Sequence, residues 1–515
     1  MENIAHLLSA SGLDVDDARR LQEVKKDATL PLAEGNARIY RRSLQMRDGI
    51  LYFMGAQGTE KSLYLCCPES FTAGFTGAGA HVGGLHLFKA ELSTENAQAL
   101  QRLFPFTAPV SLRARTTTIG CGDRLGLATP GHVRAIAGYD ASPVLAQQSV
   151  RELTFTQRDY PVVVRDAAFL VFQEGFEDGY GADGDHLKTI GDIDTALSAG
   201  MPMITLDLTE VMTPEPASWS RARIEEGFGR LAADVRKHIL AAYADRTFDL
   251  PGHSIFMNTE EAMRCALMYV RALDFSREVD LHLKRRRGSQ YDLEISIDET
   301  TTPTLPSHHL FIASELIQRG VAVSSLAPRF VGEFQKGIDY IGDLQEFEKQ
   351  FAVHCAIAKA RGNYKVSIHS GSDKFSTYPA IGRHTGMHLH LKTAGTSWLE
   401  AVRVISWTNP VLFRRMLAAA FTCFPDASKF YHITANLAAI PAAQSVPDSD
   451  LERFLNESDS RQLLHITYGG LLKDPAIRGE FFATLADNEE RHYGAVEKHI
   501  GKHIKLLGVP RKTSD

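Results

Sequence analysis

The feature that most constrains the fold of this chain is a regular alternation of short apolar segments with longer segments of helical periodicity, beginning near Thr116. Such alternation is typical of βα units, in which helices connect parallel strands. Eight strands close a (β/α)8 barrel. We therefore predict an α/β fold, a (β/α)8 TIM-type barrel with an N-terminal β-rich module and a C-terminal helical extension. The candidate strands are 116–122, 153–157, 203–208, 253–258, 292–298, 322–328, 364–370 and 387–393.

The pattern of apolar and polar segments along the 515-residue sequence predicts three parts. Residues 1–110 consist of short alternating segments with frequent turns and are expected to form the β-rich module. The catalytic barrel is expected at 111–408. Residues 409–515 are predicted to be helical, to pack on the barrel and to end in an amphipathic helix at 488–507. The histidines of this last helix that we expect to face solvent are His492, His499 and His503.

Composition excludes several classes of function. Lys and Arg total 56 against 62 Asp and Glu, a net charge of −6, so the chain lacks the basic field that binds nucleic acid. No apolar run approaches the roughly 20 residues that cross a bilayer. Six cysteines without paired spacing are typical of a reducing compartment, and the N-terminal segment has no secretion signal. We expect a cytoplasmic protein that acts on a small molecule without nucleic-acid or membrane partners, and a homo-oligomer stays an option.

Three of the candidate strands carry a polar face. In 387–393, His390 and Lys392 alternate with leucines. The segments 292–298 and 364–370 alternate in the same way. A parallel strand covered by helices is normally apolar on both faces, so a polar face indicates a site. In a barrel, such a site lies at the C-terminal ends of the strands. The polar residues that fall there are Asp298, His369, Ser370, His390 and Lys392.

The densest polar groups are GADGDHLKT (181–189), HSGSDK (369–374) and HLHLKT (388–393). Histidines beside carboxylates at loop and strand ends are the ligands that Zn, Mn, Co or Ni prefer. His186 and His369 are therefore candidates for a metal site. The alternative for His186 is an ordinary histidine in a surface loop.

Charged side chains near predicted strand ends are candidates for binding a substrate carboxylate or phosphate. They are Arg124, Lys188, Lys374 and Lys392. The glycine fingerprint of a dinucleotide-binding fold, the P-loop and the nucleophile elbow are all missing from the sequence. The sequence therefore favours a metal site over nucleotide chemistry or a serine nucleophile.

Six long motifs follow one another between about residues 110 and 505. They are CGDRLGLATPGH (121–132), GADGDHLKT (181–189), EISIDETTTPT (294–304), RFVGEFQKGIDY (329–340), SIHSGSDKF (367–375) and LKTAGTSWLEAVRVI (391–405). Through these motifs the chain resembles the tagaturonate epimerase family, which interconverts D-tagaturonate and D-fructuronate and has relatives that act on tagatose and fructose. The resemblance implies a (β/α)8 barrel, a divalent metal cofactor and a pair of acid/base carboxylates.

The resemblance also implies roles for individual residues. Asp185 matches the base and Glu294 its partner on the opposite side. If either lacks this role, the neighbouring Asp298 and Glu299 are the next candidates for proton transfer. The metal ligands it implies are His186, Gln335 and His369. The expected substrate contacts are Arg124, Lys188, Lys374, Lys392 and His390. The sequence departs from the family at Gly184, where the family more often has Ala, and residues 1–110 match it least well.

The reaction that this resemblance implies sets a chemical problem. The two sugars differ at carbon 4, whose hydrogen is β to the keto group and therefore not acidified. One solution is transient oxidation by NAD. The other is retro-aldol cleavage between carbons 3 and 4, rotation of the aldehyde and re-addition, which requires a metal, an acid and a base. Because no dinucleotide fingerprint is present, the sequence favours the retro-aldol route.

Two other functions fit the same sequence features. A metal-dependent sugar isomerase or a class II-like aldolase would use the same residue types on the same barrel. A carbohydrate-binding protein without catalytic activity would use aromatic platforms, and the three Trp residues do not cluster with the histidines in the sequence.

Overall fold

The computed structural model describes residues 1–12, 18–27, 32–67, 74–82, 84–298, 302–393 and 395–513. Glu299, an alternative candidate for proton transfer, therefore lies outside the described residues. No helix in these ranges is both long enough and apolar enough to cross a membrane.

The N-terminal part is built on an antiparallel sheet. Its elements are α1 (Glu2–Ala10), α2 (Ala18–Lys26), β1 (Ala33–Glu34), β2 (Ala37–Ile39), β3 (Gln45–Arg47), β4 (Ile50–Gln57), β5 (Glu60–Cys67), β6 (Gly77–Val82), β7 (Leu85–Ala90) and α3 (Thr94–Leu103). The strands pair in the order β1-β2-β4-β5-β7-β6, and β3 pairs with β4. Alternate side chains of β4 point to opposite faces of the sheet, and both faces are buried. On one face Phe53 packs in an apolar cluster with Leu7 of α1, and on the other Tyr52 packs in a second apolar cluster with Phe172. Phe172 belongs to a barrel helix, so the sheet is docked on the barrel.

The predicted barrel is confirmed. The strands that follow are β8 (Thr117–Gly120), β9 (Ser142–Ser149), β10 (Gly181–Leu187), β11 (Met203–Asp207), β12 (Arg246–Leu250), β13 (His253–Met257), β14 (Asp292–Ile297), β15 (Val323–Pro328), β16 (Lys365–Ile368) and β17 (Leu389–Lys392). All except β12 and β13 form a closed parallel barrel in the order β8-β9-β10-β11-β14-β15-β16-β17. On β11, Ile204 and Leu206 belong to the apolar core, whereas Thr205 between them contacts polar side chains inside the barrel.

Helices cover the outside of the barrel. They are α4 (Thr129–Ile136), α5 (Val150–Thr156), α6 (Tyr160–Glu174), α7 (Ile190–Ser198), α8 (Arg221–Gly229), α9 (Ala233–Tyr243), α10 (Thr259–Arg287), α11 (Pro306–Gln318), α12 (Leu344–Ala360), α13 (Tyr378–Thr385) and α14 (Thr396–Thr408). The C-terminal region adds α15 (Pro410–Ala427), α16 (Ser458–Ile466), α17 (Tyr468–Lys473), α18 (Pro475–Asp487) and α19 (Glu489–Leu507). The apolar core of this region includes Trp398, Leu412 and Phe481. The last helix, α19, lies against α4, α13 and α14.

Two of the eight predicted strands are wrong. The segment 153–157 is largely helical, because Ser149 and Glu152 form a capping box that starts α5. The segment 253–258 contains β13, which pairs antiparallel with β12 in a hairpin outside the barrel. The two barrel strands that the prediction omitted are β9 and β10. The Gly and Asp residues of β10 disfavour a strand by propensity, and pairing with β9 and β11 overrides that preference.

The expectation that the histidines of α19 face solvent is also wrong. His492 and His503 are 1% and 0% exposed, and the side chain of His499 is 10% exposed. His503 Nε2 accepts a hydrogen bond from the backbone N–H of Asp373 at 3.1 Å. Because α4, α13 and α14 pack against α19, its three histidines lie on the covered side of the helix. The exposed side carries other charged residues, among them Arg491, Glu497 and Lys498.

Candidate active site

A cleft at the C-terminal end of the barrel contains two chambers. The larger chamber has a volume of about 380 Å³ and includes Asp298, Gln335 and His369 in its lining. The smaller chamber has a volume of about 290 Å³ and includes Asp185 and His186. The residues that line both chambers are Phe334, Ser370 and His432. Cavities of this size accommodate a small polar ligand such as a six-carbon sugar.

Asp185 and His186 both reach this site because β10 is irregular. In a regular strand, consecutive side chains point to opposite faces of the sheet. The pairing of β10 with β11 shifts register between Gly184 and Leu187, and His186 has a left-handed backbone with φ of 58°. A bulge of this kind redirects side chains at the end of a strand.

The ammonium group of Lys392 lies at the centre of the barrel, and its side chain is 3% exposed. Its Nζ is close to carboxylates from two other strands and to one hydroxyl. The distances from Nζ are 2.6 Å to Asp185 Oδ1, 2.9 Å to Glu294 Oε1, 3.1 Å to Asp183 Oδ2 and 2.6 Å to Thr205 Oγ1. One buried cation therefore faces three buried carboxyl groups.

This imbalance shifts the pKa values of the whole cluster. Burial favours the neutral form of Lys392, but the three carboxylates outweigh burial and hold the pKa of the ammonium well above its ordinary value. Burial opposes the charge of Asp185 and Glu294 as well, and Lys392 with the adjacent histidines keeps the pKa of both carboxyls well below the usual range. For Asp183, burial and the neighbouring carboxylates prevail over Lys392 and raise the pKa.

Each of two carboxylates orients one histidine. Glu294 Oε1 lies 2.7 Å from His369 Nε2, and Asp185 Oδ1 lies 2.9 Å from His186 Nδ1. The remaining ring nitrogens both face Asp298 Oδ1, His369 Nδ1 at 3.0 Å and His186 Nε2 at 4.0 Å. Metal-binding histidines are commonly oriented in this way by a carboxylate on the nitrogen that does not bind the metal.

The donor atoms of His186, Asp298 and His369 fit a divalent cation. One atom from each residue lies within 4.8 Å of the other two. His369 Nδ1 is buried and faces Asp298 Oδ1 at 3.0 Å, so a nitrogen and a carboxylate oxygen point at the same space. Burial opposes a charged His369 ring, but Asp298 and Glu294 raise the pKa of His369 to about 10, so the group attracts a positive charge. Two imidazoles and one carboxylate suit Zn, Mn, Co or Ni.

Gln335 lines the larger chamber together with His369 and Asp298. Its carboxamide oxygen accepts hydrogen bonds from Thr434 Oγ1 and Gln462 Nε2, each at 3.0 Å. The structure therefore places this predicted ligand at the cleft, and it brings Asp298 close to both histidines. Its role as a metal ligand stays a prediction.

The predicted substrate contacts lie in different environments. Arg124 lines the smaller chamber, where its Nε donates to Glu152 at 2.8 Å. Lys188 lies 3.3 Å from Glu210 and 3.7 Å from Asp207. Lys374 is buried and donates to three backbone carbonyls, and burial lowers the pKa of Lys374 to about 7. His390 is buried against Thr118, and burial lowers the pKa of His390 to about 3.

Sequence analysis missed several residues of the site. Asp183 shares a face of β10 with Asp185, and it would have been found if 181–187 had been recognised as a strand. Asp298 was placed at a strand end but not beside the two histidines. Lys336 and Arg151 line the smaller chamber. Lys336 follows Gln335 in the motif RFVGEFQKGIDY (329–340), whereas no pattern in the sequence indicates Arg151.

Comparison with known proteins gives concordant matches. The family model for UxaE, described as tagaturonate epimerase, matches residues 40–507. The tagaturonate/fructuronate epimerase of Thermotoga maritima is 39% identical over 475 residues, which are 91% of this chain and 96% of that protein. Glycerol-complexed and native crystal structures of the fructuronate-tagaturonate epimerase UxaE from Cohnella laeviribosi superpose with TM-scores of 0.89 and 0.87. They are 46% and 45% identical, and each match covers 92% of this chain and 97% of the other.

We predict that Lys392→Met lowers the free energy of unfolding by about 3 to 5 kcal/mol at pH 7, because it leaves buried carboxylates without their cation. The pKa of Asp185 and Glu294 would then rise through burial, so protonation would restore stability as the pH falls. The difference from the wild type should therefore shrink between about pH 7 and pH 4. Urea unfolding at several pH values measures this difference.

Lys349→Met is the matched control, since its side chain is 79% exposed. A surface change of this kind should stay within about 0.5 kcal/mol of the wild type. Equal stability of the two variants at pH 7 would contradict a central role for Lys392.

Proposed function

The chain belongs to the tagaturonate epimerase family, and from that premise we propose that it interconverts D-tagaturonate and D-fructuronate by inverting carbon 4. It is an enzyme of the isomerase class. The observation that supports the chemistry is the joint arrangement of His186, His369 and Asp298 with the carboxylates of Asp185 and Glu294 at one cleft. The same proposal extends to the related hexoses tagatose and fructose as alternative substrates.

His186, His369 and Asp298 are the residues that would hold a divalent cation, with Gln335 as a further candidate on the wall of the larger chamber. The cation would stabilise the negative charge that develops on the oxygens of carbons 2 and 3. Asp185 and Glu294 would keep the two imidazole rings in orientation, as their hydrogen bonds to these rings indicate.

In the proposed reaction, Asp185 takes the proton of the carbon 4 hydroxyl. The bond between carbons 3 and 4 then breaks, its electrons form an enediolate over carbons 2 and 3, and carbon 4 becomes an aldehyde. The aldehyde then rotates until its opposite face points toward carbon 3, and carbon 3 adds to it. The new alkoxide on carbon 4 receives a proton from the side opposite Asp185. Asp185 lines the smaller chamber, which supports its assignment to the first step.

Glu294 is the proposed partner for the second proton transfer. It is 0% exposed and lies behind His369, whose Nε2 is 2.7 Å from Glu294 Oε1. A proton exchanged between Glu294 and the substrate would therefore travel through the imidazole of His369 or through a shift of that ring. Asp298, which lines the larger chamber directly, is the alternative acid.

A cytoplasmic location remains part of the proposal. In the described part of the chain, Cys121, Cys265, Cys355 and Cys423 form no disulfide, which suits a reducing compartment.

Product analysis tests the proposed function. We expect NMR spectra to show conversion of D-tagaturonate to D-fructuronate by the metal-supplemented protein, and loss of activity after treatment with EDTA. His186→Ala and His369→Ala should each lower metal content, measured by elemental mass spectrometry, because each removes a ligand. Full activity after complete metal removal would show that the metal assignment is wrong, whereas an aldose or a cleaved product would favour the isomerase or aldolase.

The acid/base roles are tested by Asp185→Asn and Glu294→Gln. Each variant keeps an oxygen that accepts a hydrogen bond from the adjacent histidine, so metal content should stay unchanged. Removal of the proton-transferring group should lower kcat by about 10²- to 10⁴-fold.

Two results would assign these carboxylates differently. Activity within about twofold of the wild type would move proton transfer to a neighbour, of which Asp298 is the next candidate. Loss of bound metal together with activity would show that Asp185 or Glu294 mainly orients a ligand.

A further inference from the structure

The two chambers of the cleft differ in charge. The smaller chamber is lined by the side chains of Arg124, Arg151 and Lys336 and by two carboxylates, Glu152 and Asp185. In the larger chamber, Arg329 is accompanied by the carboxylates of Asp298 and Glu333. An anionic group of a substrate is therefore favoured in the smaller chamber.

Arg124 is already neutralised within the smaller chamber. Its Nε donates to Glu152 at 2.8 Å, its Nη1 donates to the carbonyl of His465 at 3.2 Å, and its guanidinium stacks 3.7 Å from the ring centre of Tyr468. The side chain is 2% exposed. Arg124 is thus a fixed part of the wall.

Lys336 and Arg151 differ from Arg124 because their partners are neutral. Lys336 Nζ donates to Ser370 Oγ at 2.7 Å, and Arg151 Nη1 donates to the carbonyl of Phe430 at 3.2 Å. In the part of the chain that the structure describes, neither cation forms an ion pair with a carboxylate. Both can therefore bind an anion without first breaking an ion pair.

The backbone around Lys336 is held from several directions. Lys374 Nζ donates to the carbonyls of Gln335 and Ile338 at 2.7 and 2.6 Å. Arg461 Nε donates to the carbonyl of Gly337 at 2.7 Å. A binding group on such a fixed segment loses little conformational freedom when a ligand binds.

The connectivity of the substrate fits this arrangement. In a uronate, carbon 4 is two bonds from the carboxylate at carbon 6, so the groups that serve these two positions must border one cavity. Asp185, the proposed base for the carbon 4 hydroxyl, lines the smaller chamber together with Lys336. Resting on the proposed function, we propose that Lys336, with Arg151, binds the carbon 6 carboxylate and thereby selects uronates over neutral hexoses.

This subsite also defines how the aldehyde turns. After the bond between carbons 3 and 4 breaks, the fragment that carries the aldehyde also carries the carboxylate. While Lys336 holds the carboxylate, rotation about the bond between carbons 4 and 5 presents the opposite aldehyde face. The fragment remains in the cleft until carbon 3 adds again.

The test is the affinity of the full-length, metal-supplemented protein for an equilibrated D-tagaturonate and D-fructuronate mixture and for neutral D-tagatose, measured by calorimetry. Lys336→Met should weaken uronate binding about 10- to 100-fold, the effect of losing a charge-assisted hydrogen bond. Tagatose affinity should stay within about twofold of the wild type. Lys336→Arg should restore uronate binding, and Arg151→Met should weaken it by a smaller factor.

Lys349→Met, on the exposed side of α12, is the control and should bind both ligands as the wild type does. Uronate affinity of Lys336→Met equal to that of the wild type, or an equal loss for tagatose, would overturn the subsite. The wild type could also bind uronate through Lys336 and yet not epimerise it. That result would support the subsite and refute the proposed function. Absence of uronate binding to the wild type would refute both.

Discussion

The attraction between the Lys392 ammonium and three buried carboxyl groups is the interaction on which both the barrel interior and the site depend. Lys392 comes from β17, Asp183 and Asp185 come from β10, and Glu294 comes from β14. A charge inside the barrel is costly unless it is paired. The closed barrel brings these groups together from separate strands, and their pairing makes a polar interior compatible with a folded chain.

The same carboxylates connect the interior to the cleft. Glu294 bonds to Lys392 on one side and to His369 on the other, and Asp185 does the same with His186. The charge state of the interior thus determines the orientation of the two histidines that face Asp298. This coupling explains why polar residues occupy strand faces that an ordinary parallel barrel fills with apolar side chains.

The sequence predicts the barrel well where apolar alternation is strong, as in β11, β14 and β17. It fails at β10, because GADGDHL has low strand propensity and becomes a strand only through its two neighbours. The segment 253–258 is a strand as predicted but lies outside the barrel. A strand pattern alone does not reveal whether the segment pairs with a barrel strand or within a separate hairpin. The boundaries at residues 110 and 408 stay predictions.

For the site, strand-end position and the family resemblance identify His186, His369, Asp185 and Glu294. They do not reveal that Asp298 lies between the two histidines, because that proximity arises from three different strand ends. They also place Lys374 among the substrate contacts, whereas the structure assigns its ammonium to three backbone carbonyls. A lysine that binds a ligand and one that holds a loop have the same appearance in a sequence.

We propose that carbon 4 is inverted by breaking and remaking the bond between carbons 3 and 4. The most direct measurement is NMR of the product formed in deuterated water, combined with a search for nicotinamide released on denaturing the pure enzyme. We expect product with no deuterium at carbon 4, because the hydrogen never leaves its carbon, and no stoichiometric nicotinamide, because cleavage of the carbon-carbon bond needs no oxidant. Deuterium at carbon 4 or stoichiometric NAD would contradict it.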